Sequence, residues 1–293
     1  MGRPAYITLG REEDLAASRS VDDLEARCHD LLDRAVELGV RYVDTARSYG
    51  YAERFLGSWF SARPGRREQL TVGSKWGYEY VGEWALDAPL HERKDHSPAV
   101  FDRQWPQTLE ALSGPPDVYL IHSVTPDSPA LGDVELLDRL RALARTGVRV
   151  GISTSGPEQS WVVQQALAVP DSPFSVVQST WNLLERSVGA SLAEAHDAGW
   201  LVVVKEGVAN GRLTAHGQEP GLTQMAALDG QTLDAFALGA VLAQPFVDVV
   251  LSGAVTIAQL EQNVAARPPA AVPDGVVEAP AAYWATRGAL SWG

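Results

Sequence analysis

The sequence predicts a single-domain α/β fold, a (β/α)8 TIM barrel that spans residues 1–293. Eight short runs rich in apolar and β-branched residues alternate with segments in which apolar residues recur at helical spacing, which is the element count of this barrel. The runs are almost continuously apolar, which is typical of parallel strands buried on both faces. No shift in composition along the chain indicates a second domain.

The first helical segment shows how the elements are assigned. Apolar residues from Val21 to Val36 step by three and four, Ser20 precedes them as an N-cap, and Gly39 follows as a stop signal. The helices are predicted at residues 21–36, 52–62, 98–112, 133–145, 157–168, 187–198, 231–243 and 256–266. The strands are predicted at residues 5–9, 41–46, 70–75, 118–122, 148–153, 175–179, 201–205 and 247–252.

Two connections, residues 76–97 and 206–230, are too long for tight loops between a strand and a helix. Both follow the C-terminal end of a predicted strand, and this is the face at which barrel active sites lie. The tail, residues 268–293, begins with prolines and contains Tyr283, Trp284 and Trp292. We expect the tail to pack over one rim of the barrel.

The composition limits the possible partners and the compartment. Hydrophobic residues make up 45% of the chain, and the net charge of −13 argues against non-specific binding to nucleic acid or to anionic membranes. Cys28 is the only cysteine, so no intrachain disulfide can form. The first four residues have no signal pattern, and no apolar run is long enough to span a membrane. The expected location is the cytoplasm.

Three ionisable residues each end a predicted strand on the same face of the barrel. Asp44 ends the second strand, Lys75 the third and His122 the fourth, and Tyr49 follows Asp44 in a short loop. Adjacent strands lie about 5 Å apart, so these four side chains are expected to converge. Taken singly, Asp44 is equally explained as a turn or capping residue and Tyr49 as an amphipathic rim residue.

The chemistry of the four residues is complementary. An ammonium on Lys75 favours the phenolate form of Tyr49 and is expected to lower its ordinary pKa of about 10. Asp44 supplies the counter-charge that a buried lysine needs. His122 can donate a hydrogen bond to a substrate oxygen. The group is therefore interpreted as a device that delivers a proton to a carbonyl oxygen.

Several motifs in fixed order extend over nearly the whole chain. They are Asp44-Thr45-Ala46-x-x-Tyr49-Gly50-x-x-Glu53, Ser74-Lys75-Trp76-Gly77, the run 117–122 that ends in His122, the run 150–153, Gln178 with the run 181–186, and the run 251–254 leading to Asn263. In this order they resemble the aldo-keto reductase superfamily. The resemblance implies a barrel that reduces a small-molecule carbonyl substrate with a nicotinamide cofactor, Tyr49 being the proton donor, Lys75 and Asp44 tuning it, and His122 orienting the carbonyl.

The resemblance also assigns residues to the nicotinamide end of the cofactor. Ser153 and Gln178 would bind the carboxamide, and Thr154 stands where asparagine is usual. Where relatives commonly end the seventh strand in an aromatic residue or an arginine, this chain has Lys205, Glu206 and Gly207. Lys205 can neutralise a phosphate, whereas Glu206 opposes it unless its side chain turns away.

The phosphate end of the cofactor is expected at the last strand. The exposed amides and positive end of the helix that starts at residue 256 suit a phosphate. By resemblance, Gln259 occupies the place of a basic residue that grips the 2′-phosphate in many relatives. The expected cofactor is NADPH (NADP in its oxidised form), and the uncharged Gln259 removes one contact that favours it over NADH. The residues assigned to this end are Gly253, Ala254, Thr256 and Gln259, with Arg212 as a substitute phosphate contact, and by resemblance Gln262 and Asn263 match the positions that contact the adenine.

The long connection 76–97 suggests a substrate wall. Trp76, Tyr78 and Trp84 would favour a flat or apolar carbonyl compound, and the equally weighted alternative is a lid that packs on the barrel mouth. The cluster from His91 to His96 is interpreted as a solvated charge run, so no metal site is predicted. The sequence contains neither a GxGxxG fingerprint nor a P-loop.

Two further functions stay open at this point. The unusual residues Thr154, Lys205 and Gln259 are compatible with a cofactor-binding regulatory subunit of little turnover, and the same site could assist a dehydration or an epimerisation. Only four residues precede the first predicted strand, whereas relatives often close the barrel bottom with an N-terminal hairpin. We therefore expect that plug to be missing or rebuilt by the tail or a neighbouring subunit. No feature of the sequence indicates the oligomeric state.

Overall fold

The strands form because short β-branched runs are buried between a barrel interior and a layer of helices. The computed structural model describes residues 2–15 and 18–292. Its strands are β1 (Tyr42–Asp44), β2 (Thr71–Trp76), β3 (Tyr78–Tyr80), β4 (Glu92–Lys94), β5 (Val118–Val124), β6 (Arg149–Thr154), β7 (Phe174–Thr180), β8 (Leu201–Lys205) and β9 (Val249–Val250). Seven of them pair in parallel in the order β1-β2-β5-β6-β7-β8-β9, and β3 and β4 form a separate antiparallel hairpin. The predicted fold class, a single-domain α/β barrel, is confirmed.

The first predicted strand, residues 5–9, is wrong. In this segment Ile7 makes an isolated antiparallel bridge to Trp292, and the amide of Leu9 donates to the carbonyl oxygen of Asn210 at 2.9 Å. The segment therefore satisfies its backbone against the loop after β8 and the C-terminal tail instead of a barrel strand. As a result, the main sheet has seven strands in the described part of the chain, and its order leaves the outer edges of β1 and β9 unpaired there.

All eight predicted helices are confirmed, and the described residues form three further helices, one before the predicted set, one within it and one after it. The first layer consists of α2 (Val21–Glu37), α3 (Ala52–Ala62), α4 (Pro98–Leu112), α5 (Val134–Ala144), α6 (Gln159–Leu167), α7 (Gly189–Asp197), α9 (Leu233–Leu242) and α10 (Ile257–Val264). The others are α1 (Arg11–Asp14), α8 (Pro220–Leu228) and α11 (Pro280–Gly288). Among the described residues, none of these helices combines the length and apolarity required to cross a membrane.

Both faces of the parallel strands are apolar because each contacts a different layer. On β5, Val118 and Leu120 pack inside the barrel with Val176 and Val203. Their neighbours Tyr119 and Ile121 belong to the cluster between the sheet and the helices. The alternation of side chains along a strand therefore explains the continuous apolar runs in the sequence.

The two long connections contain regular structure. Residues 76–97 include the β3–β4 hairpin, which Gln104 of α4 fixes by accepting from the amide of Gly77 at 2.8 Å and donating to the carbonyl oxygen of Tyr78 at 3.0 Å. Residues 206–230 contain a short 3-10 turn, Ala209–Gly211, and α8. Both connections stand at the C-terminal ends of strands, where they form walls of the cavity described below.

Helices α3 and α4 approach closely at Gly57, where a Cβ atom would lie 2.0 Å from the carbonyl oxygen of Ala111. We expect Gly57→Ala to force the helices apart and lower the free energy of unfolding by about 1–3 kcal/mol, the usual cost of overpacking. Denaturant unfolding measures this change. Gly221→Ala in α8 is the matched control, because a Cβ atom there meets open space and alanine favours the helix. Equal stability of the Gly57→Ala protein and the wild type would contradict the close approach.

Candidate active site at the C-terminal ends of the strands

The parallel register brings Asp44 and Lys75 to the same end of the barrel. Asp44 ends β1 and pairs with Gly73 of β2, so Lys75 lies two residues further along the neighbouring strand. The Lys75 ammonium forms an ion pair with the Asp44 carboxylate and donates to the carbonyl oxygen of Thr45 at 2.9 Å. The Lys75 side chain is only 1% exposed, so its charge depends on these two partners.

Tyr49 lies beside this ion pair on a tight turn before α3. The amide of Tyr49 donates to the carbonyl oxygen of Ala46 at 3.1 Å, and its own carbonyl accepts from Ala52 at 3.1 Å. The Lys75 Nζ atom is 5.1 Å from the centre of the Tyr49 ring, and the His122 ring contacts Tyr49 edge-on with centroids 5.6 Å apart. The structure therefore brings together the four residues that the sequence grouped.

The expected lowering of the Tyr49 pKa is not seen. Burial raises this pKa well above its ordinary value of 10.0, and the negative charges of Asp44 and Glu92 raise it further. The reason is that the Lys75 charge is already paired with Asp44, while the phenol is enclosed by protein. Tyr49 is therefore a neutral phenol at and above neutral pH, which is the form that can donate a proton.

His122 is a neutral imidazole in this environment. Burial lowers its pKa well below the ordinary value of 6.5, and the charges of Lys75 and Lys205 lower it further. Its Nδ1 atom lies 3.4 Å from the hydroxyl oxygen of Ser48, and its backbone carbonyl lies 2.8 Å from Nε2 of His96. Neutral His122 can orient a substrate oxygen by a hydrogen bond without adding charge to the site.

A cavity of about 1370 Å³ opens from these residues. Its lining includes Asp44, Tyr49, His122 and Gln178, together with residues of the β9–α10 connection such as Gly253 and Asn263. The space is continuous from the proposed proton donor to the start of α10, so it can hold an extended ligand that contacts both regions.

The buried amide oxygens of Gln178 and Asn263 line this cavity and have no hydrogen-bond partner among the described residues, as is also true of Asn210 on the loop after β8. The amide nitrogen of Gln178 donates to Asp44 at 2.8 Å, and that of Asn263 donates to the hydroxyl of Ser252 at 2.9 Å. Each side chain therefore offers a free acceptor to an N–H donor of a ligand. A carboxamide and an amino-substituted ring supply such donors, so these two residues fit a nicotinamide adenine dinucleotide.

Ser153 and Thr154, the expected cofactor contacts, lie behind the side chains that line the cavity. The Ser153 hydroxyl accepts from the amide of Ser123 at 2.8 Å, and the Thr154 hydroxyl lies 2.7 Å from that of Ser179. Both residues are completely buried, and neither is among the described residues that line the cavity. The Ser153 hydroxyl accepts one hydrogen bond and keeps its own O–H donor, so its contact with the carboxamide stays a prediction, as does that of Thr154.

The β9–α10 connection differs from a simple phosphate-binding site because several of its backbone amides already have hydrogen-bond partners within the protein. Thr256 caps α10 by accepting from the amide of Gln259 at 3.1 Å. The Gln259 side chain accepts from the amide of Val255 at 3.0 Å and donates to Asp14 at 2.6 Å. The amide of Ala254 donates to the Ser252 hydroxyl at 3.3 Å. Two of the expected phosphate donors are therefore already bonded, and a carboxylate lies beside Gln259.

Arg212 is not a substitute phosphate contact. Its guanidinium pairs with Glu278 and, at 3.2 Å, with Glu219, and it lies 5.8 Å from the centre of the Tyr283 ring. Arg212 therefore ties the loop after β8 to the tail. Gly207 does line the cavity, where a Cβ atom would come within 2.9 Å of Leu238 of α9. A side chain at residue 207 would therefore have to displace the Leu238 methyl group.

The expected aromatic substrate wall is wrong for two of its three residues. Trp76 is completely buried and packs against Phe101, with ring centroids 5.1 Å apart. Trp84 donates its indole N–H to the carbonyl oxygen of Arg19 at 2.9 Å, away from the catalytic candidates. Only Tyr78 lies at the site, with its ring centre 5.0 Å from that of His122. Because side chains alternate along β2, an inward Lys75 turns Trp76 outward.

The chain ends supply residues that the sequence did not assign. Arg3 is 3% exposed, pairs with Glu92 at 2.9 Å and lies 5.5 Å from the centre of the Tyr49 ring. Tyr6 contacts Tyr49 with centroids 5.8 Å apart, and Trp292 lies 4.8 Å from the Arg3 guanidinium. The bridge between the tail and residue 7 confirms that the tail packs over this rim. The aromatic tail was the only sequence signal for this part of the site.

A buried charge cluster completes this end of the cavity. Glu206 accepts from Arg287 Nη2 at 2.7 Å and from the Thr180 hydroxyl at 2.9 Å, and Lys205 lies 3.9 Å from the same carboxylate. Burial opposes the charge of Glu206, but Lys205, Arg287 and Thr180 prevail and lower its pKa to about 2. Glu206 is therefore ionised and turned toward Arg287.

Comparisons with known proteins agree with the geometry. A sequence model of the aldo/keto reductase family matches residues 17–269. An aldo-keto reductase of Gibberella moniliformis is 28% identical over 189 residues, 62% of this chain and 54% of that protein, so the chain spans about half the length of this relative. Protein tas of Escherichia coli is 27% identical over 300 residues, 82% of this chain and 84% of that protein. The holo form of an aldo-keto reductase from Bacillus halodurans has a similar fold, with a TM-score of 0.69, 21% identity and coverage of 97% of this chain and 96% of that one.

The low pKa of Glu206 makes part of the stability depend on pH. Its folded pKa of about 2 lies below the ordinary 4.5, so the stabilisation is present above pH 4.5 and is lost as the pH falls toward 2. We expect Glu206→Gln to lower the free energy of unfolding at pH 7 by on the order of 3 kcal/mol, and the difference from wild type to shrink below pH 4.5.

Denaturant unfolding at pH 7, 4 and 3 measures this difference. Asp274→Asn is the control, because that carboxylate is fully exposed and its loss should leave the stability unchanged at every pH. A Glu206→Gln difference that is independent of pH would show that the carboxylate is not held ionised by its neighbours.

Proposed function

Because the chain belongs to the aldo/keto reductase family and is therefore an oxidoreductase, we propose that it reduces an aldehyde or ketone to an alcohol with NAD(P)H. The observation that carries this proposal is the buried Lys75–Asp44 ion pair beside the rings of Tyr49 and His122. A buried lysine, a phenol and an imidazole in contact at the end of a cavity suit proton transfer to a carbonyl oxygen.

Tyr49 is the proposed proton donor. When bound, a nicotinamide cofactor would supply the hydride for the carbonyl carbon, so the carbonyl oxygen would need a proton from the protein. Tyr49, a neutral phenol, gives its proton to that oxygen. The Lys75 ammonium, 5.1 Å from the ring centre, stabilises the phenolate that is left, and Asp44 keeps Lys75 charged.

The surrounding groups orient the substrate and exclude water. Neutral His122 donates a hydrogen bond to the carbonyl oxygen and so fixes its position relative to Tyr49. Tyr6, Tyr78 and Trp292 form the aromatic surroundings of these groups. A water-poor site strengthens the electrostatic contributions of Lys75 and Asp44.

The unpaired amide oxygens of Gln178 and Asn263 mark the two ends of the proposed cofactor-binding site. The Gln178 oxygen would accept from the carboxamide, and Asn263 with neighbouring Gln262 would contact the adenine. Between them, Gly253 and Ala254 line the cavity with little side-chain bulk, so the connection can approach a pyrophosphate.

The surroundings of Gln259 support a site that does not select the 2′-phosphate of NADPH. Asp14 accepts from Gln259 at 2.6 Å, and Asp14 also lies 3.2 Å from a ring nitrogen of His216. No lysine or arginine of the β9–α10 connection belongs to the described cavity lining. A carboxylate repels a phosphate but accepts hydrogen bonds from ribose hydroxyls, so we propose that NADH binds at least as tightly as NADPH.

We expect Tyr49→Phe to lower kcat/KM for aldehyde reduction by about 10²–10⁴-fold, the usual contribution of a positioned general acid, with the cofactor Kd unchanged. Steady-state kinetics and fluorescence titration measure the two quantities. Tyr51→Phe is the matched control, since that ring is 41% exposed on the outer side of the turn. Near-wild-type turnover of Tyr49→Phe would remove Tyr49 from this role. If the wild type transfers no hydride to any carbonyl of a broad panel, a cofactor-binding subunit becomes the better description.

For the cofactor, we expect Gln259→Arg or Asp14→Asn to tighten NADPH binding relative to NADH binding by about tenfold, the size of one charge-assisted hydrogen bond or one removed repulsion. Titration of each variant with both cofactors measures the ratio of dissociation constants. Glu261→Gln on the exposed side of α10 serves as the control for charge removal on that helix. A wild type that prefers NADPH by tenfold or more would overturn the proposed cofactor choice.

A further inference from the structure

Lys205 occupies a distinctive position at the end of β8. Its side chain is 14% exposed and lines the same cavity as Asp44, Tyr49 and His122. Its positive charge lowers the pKa of His122, and the charge of Asp44 acts in turn on Lys205. Lys205 therefore stands within electrostatic reach of the groups that are proposed to handle the carbonyl.

The neighbouring carboxylate does not fully neutralise Lys205. The hydrogen bond that Lys205 Nζ makes among the described residues is to the Thr180 hydroxyl, at 3.1 Å. That hydroxyl donates onward to Glu206. The Glu206 oxygen nearest to Lys205 is 3.9 Å away, beyond hydrogen-bond distance, and the same oxygen already accepts two hydrogen bonds from Arg287. Part of the donor capacity of the ammonium is thus open to a ligand.

The charges around the catalytic candidates leave an excess of one cation. Lys75 and Asp44 cancel, and Arg3 and Glu92 cancel in the same way. The remaining group contains two cations, Lys205 and Arg287, for the single carboxylate of Glu206. Uncompensated positive charge in a buried site is costly unless a ligand brings the balancing anion.

We propose that Lys205 binds a carboxylate on the substrate, so that the enzyme acts on carbonyl compounds that carry a carboxylate group. This inference rests on the proposed carbonyl reduction. A carboxylate matches the free donors of the ammonium and balances the excess charge without displacing Arg287 from Glu206. The sequence had assigned Lys205 to a cofactor phosphate, whereas in the structure Lys205 lines the same cavity wall as Asp44, Tyr49 and His122.

The test uses two aldehydes that differ in one charge, 4-carboxybenzaldehyde and methyl 4-formylbenzoate. The wild type should reduce the acid with a kcat/KM at least about tenfold higher than the ester, the effect of one hydrogen bond to a charged group. Lys205→Met should remove this preference by lowering kcat/KM for the acid at least about tenfold more than for the ester, and Lys205→Arg should restore most of it. Lys94→Met is the matched control, because Lys94 pairs with Thr125 outside the cavity lining.

Two further measurements separate the possible outcomes. Thermal unfolding shows whether Lys205→Met is folded, and titration of each variant gives the Kd of the cofactor. Equal reduction of acid and ester by the wild type, or a Lys205→Met variant that weakens the cofactor and both aldehydes alike, would overturn the proposal. Calorimetric binding of 4-carboxybenzaldehyde to the wild type and to Lys205→Met gives a readout without turnover. Binding that depends on Lys205, with no reduction of either aldehyde, would retain the carboxylate site and reject the proposed reaction instead.

Discussion

The buried ion pair between Lys75 and Asp44 is the constraint on which the rest of the site depends. One oxygen of Asp44 binds the Lys75 ammonium, and the other accepts from Gln178 at 2.8 Å. A single carboxylate thereby joins β1 to the adjacent strand β2 and to β7 across the barrel interior. Because Tyr49 follows Asp44 by five residues on a tight turn, the position of the phenol is set by the same carboxylate.

The meeting of these residues could be predicted from the sequence because it follows from the regular geometry of parallel strands and the alternation of side chains along each strand. Parallel strands present their C-terminal ends on one face, so residues that end apolar runs, such as Lys75 and His122, come together. The alternation along β2 also explains why Trp76 does not belong to the substrate wall, because it must face the helices when Lys75 faces the interior. The prediction of a barrel strand at residues 5–9 was wrong for another reason. A short apolar run does not indicate which segment it will pair with, and here Ile7 pairs with Trp292 of the tail.

The remaining features depend on contacts between distant parts of the chain. Arg3 and Trp292 meet over Tyr49 although they are separated by nearly the whole sequence, and Arg287 of α11 reaches Glu206 after β8. Glu206 has a φ of 55°, a left-handed backbone that a glutamate adopts only when its surroundings impose it. No local pattern encodes such pairings. The burial of the phenol and the charges around it, which together raise its pKa, were therefore not readable from the four catalytic candidates alone.

The unpaired edges of β1 and β9 have a thermodynamic consequence. In the described part of the chain no ladder hydrogen bond joins these two strands, so the barrel is held together at this seam by side chains rather than by backbone. Residues on both sides of the seam line the cavity, Asp44 after β1 and Gly253 and Asn263 after β9. A ligand that contacts both sides links β1 and β9 noncovalently, and its binding free energy adds to the free energy of unfolding. Occupancy of the site and closure of the barrel are therefore linked equilibria.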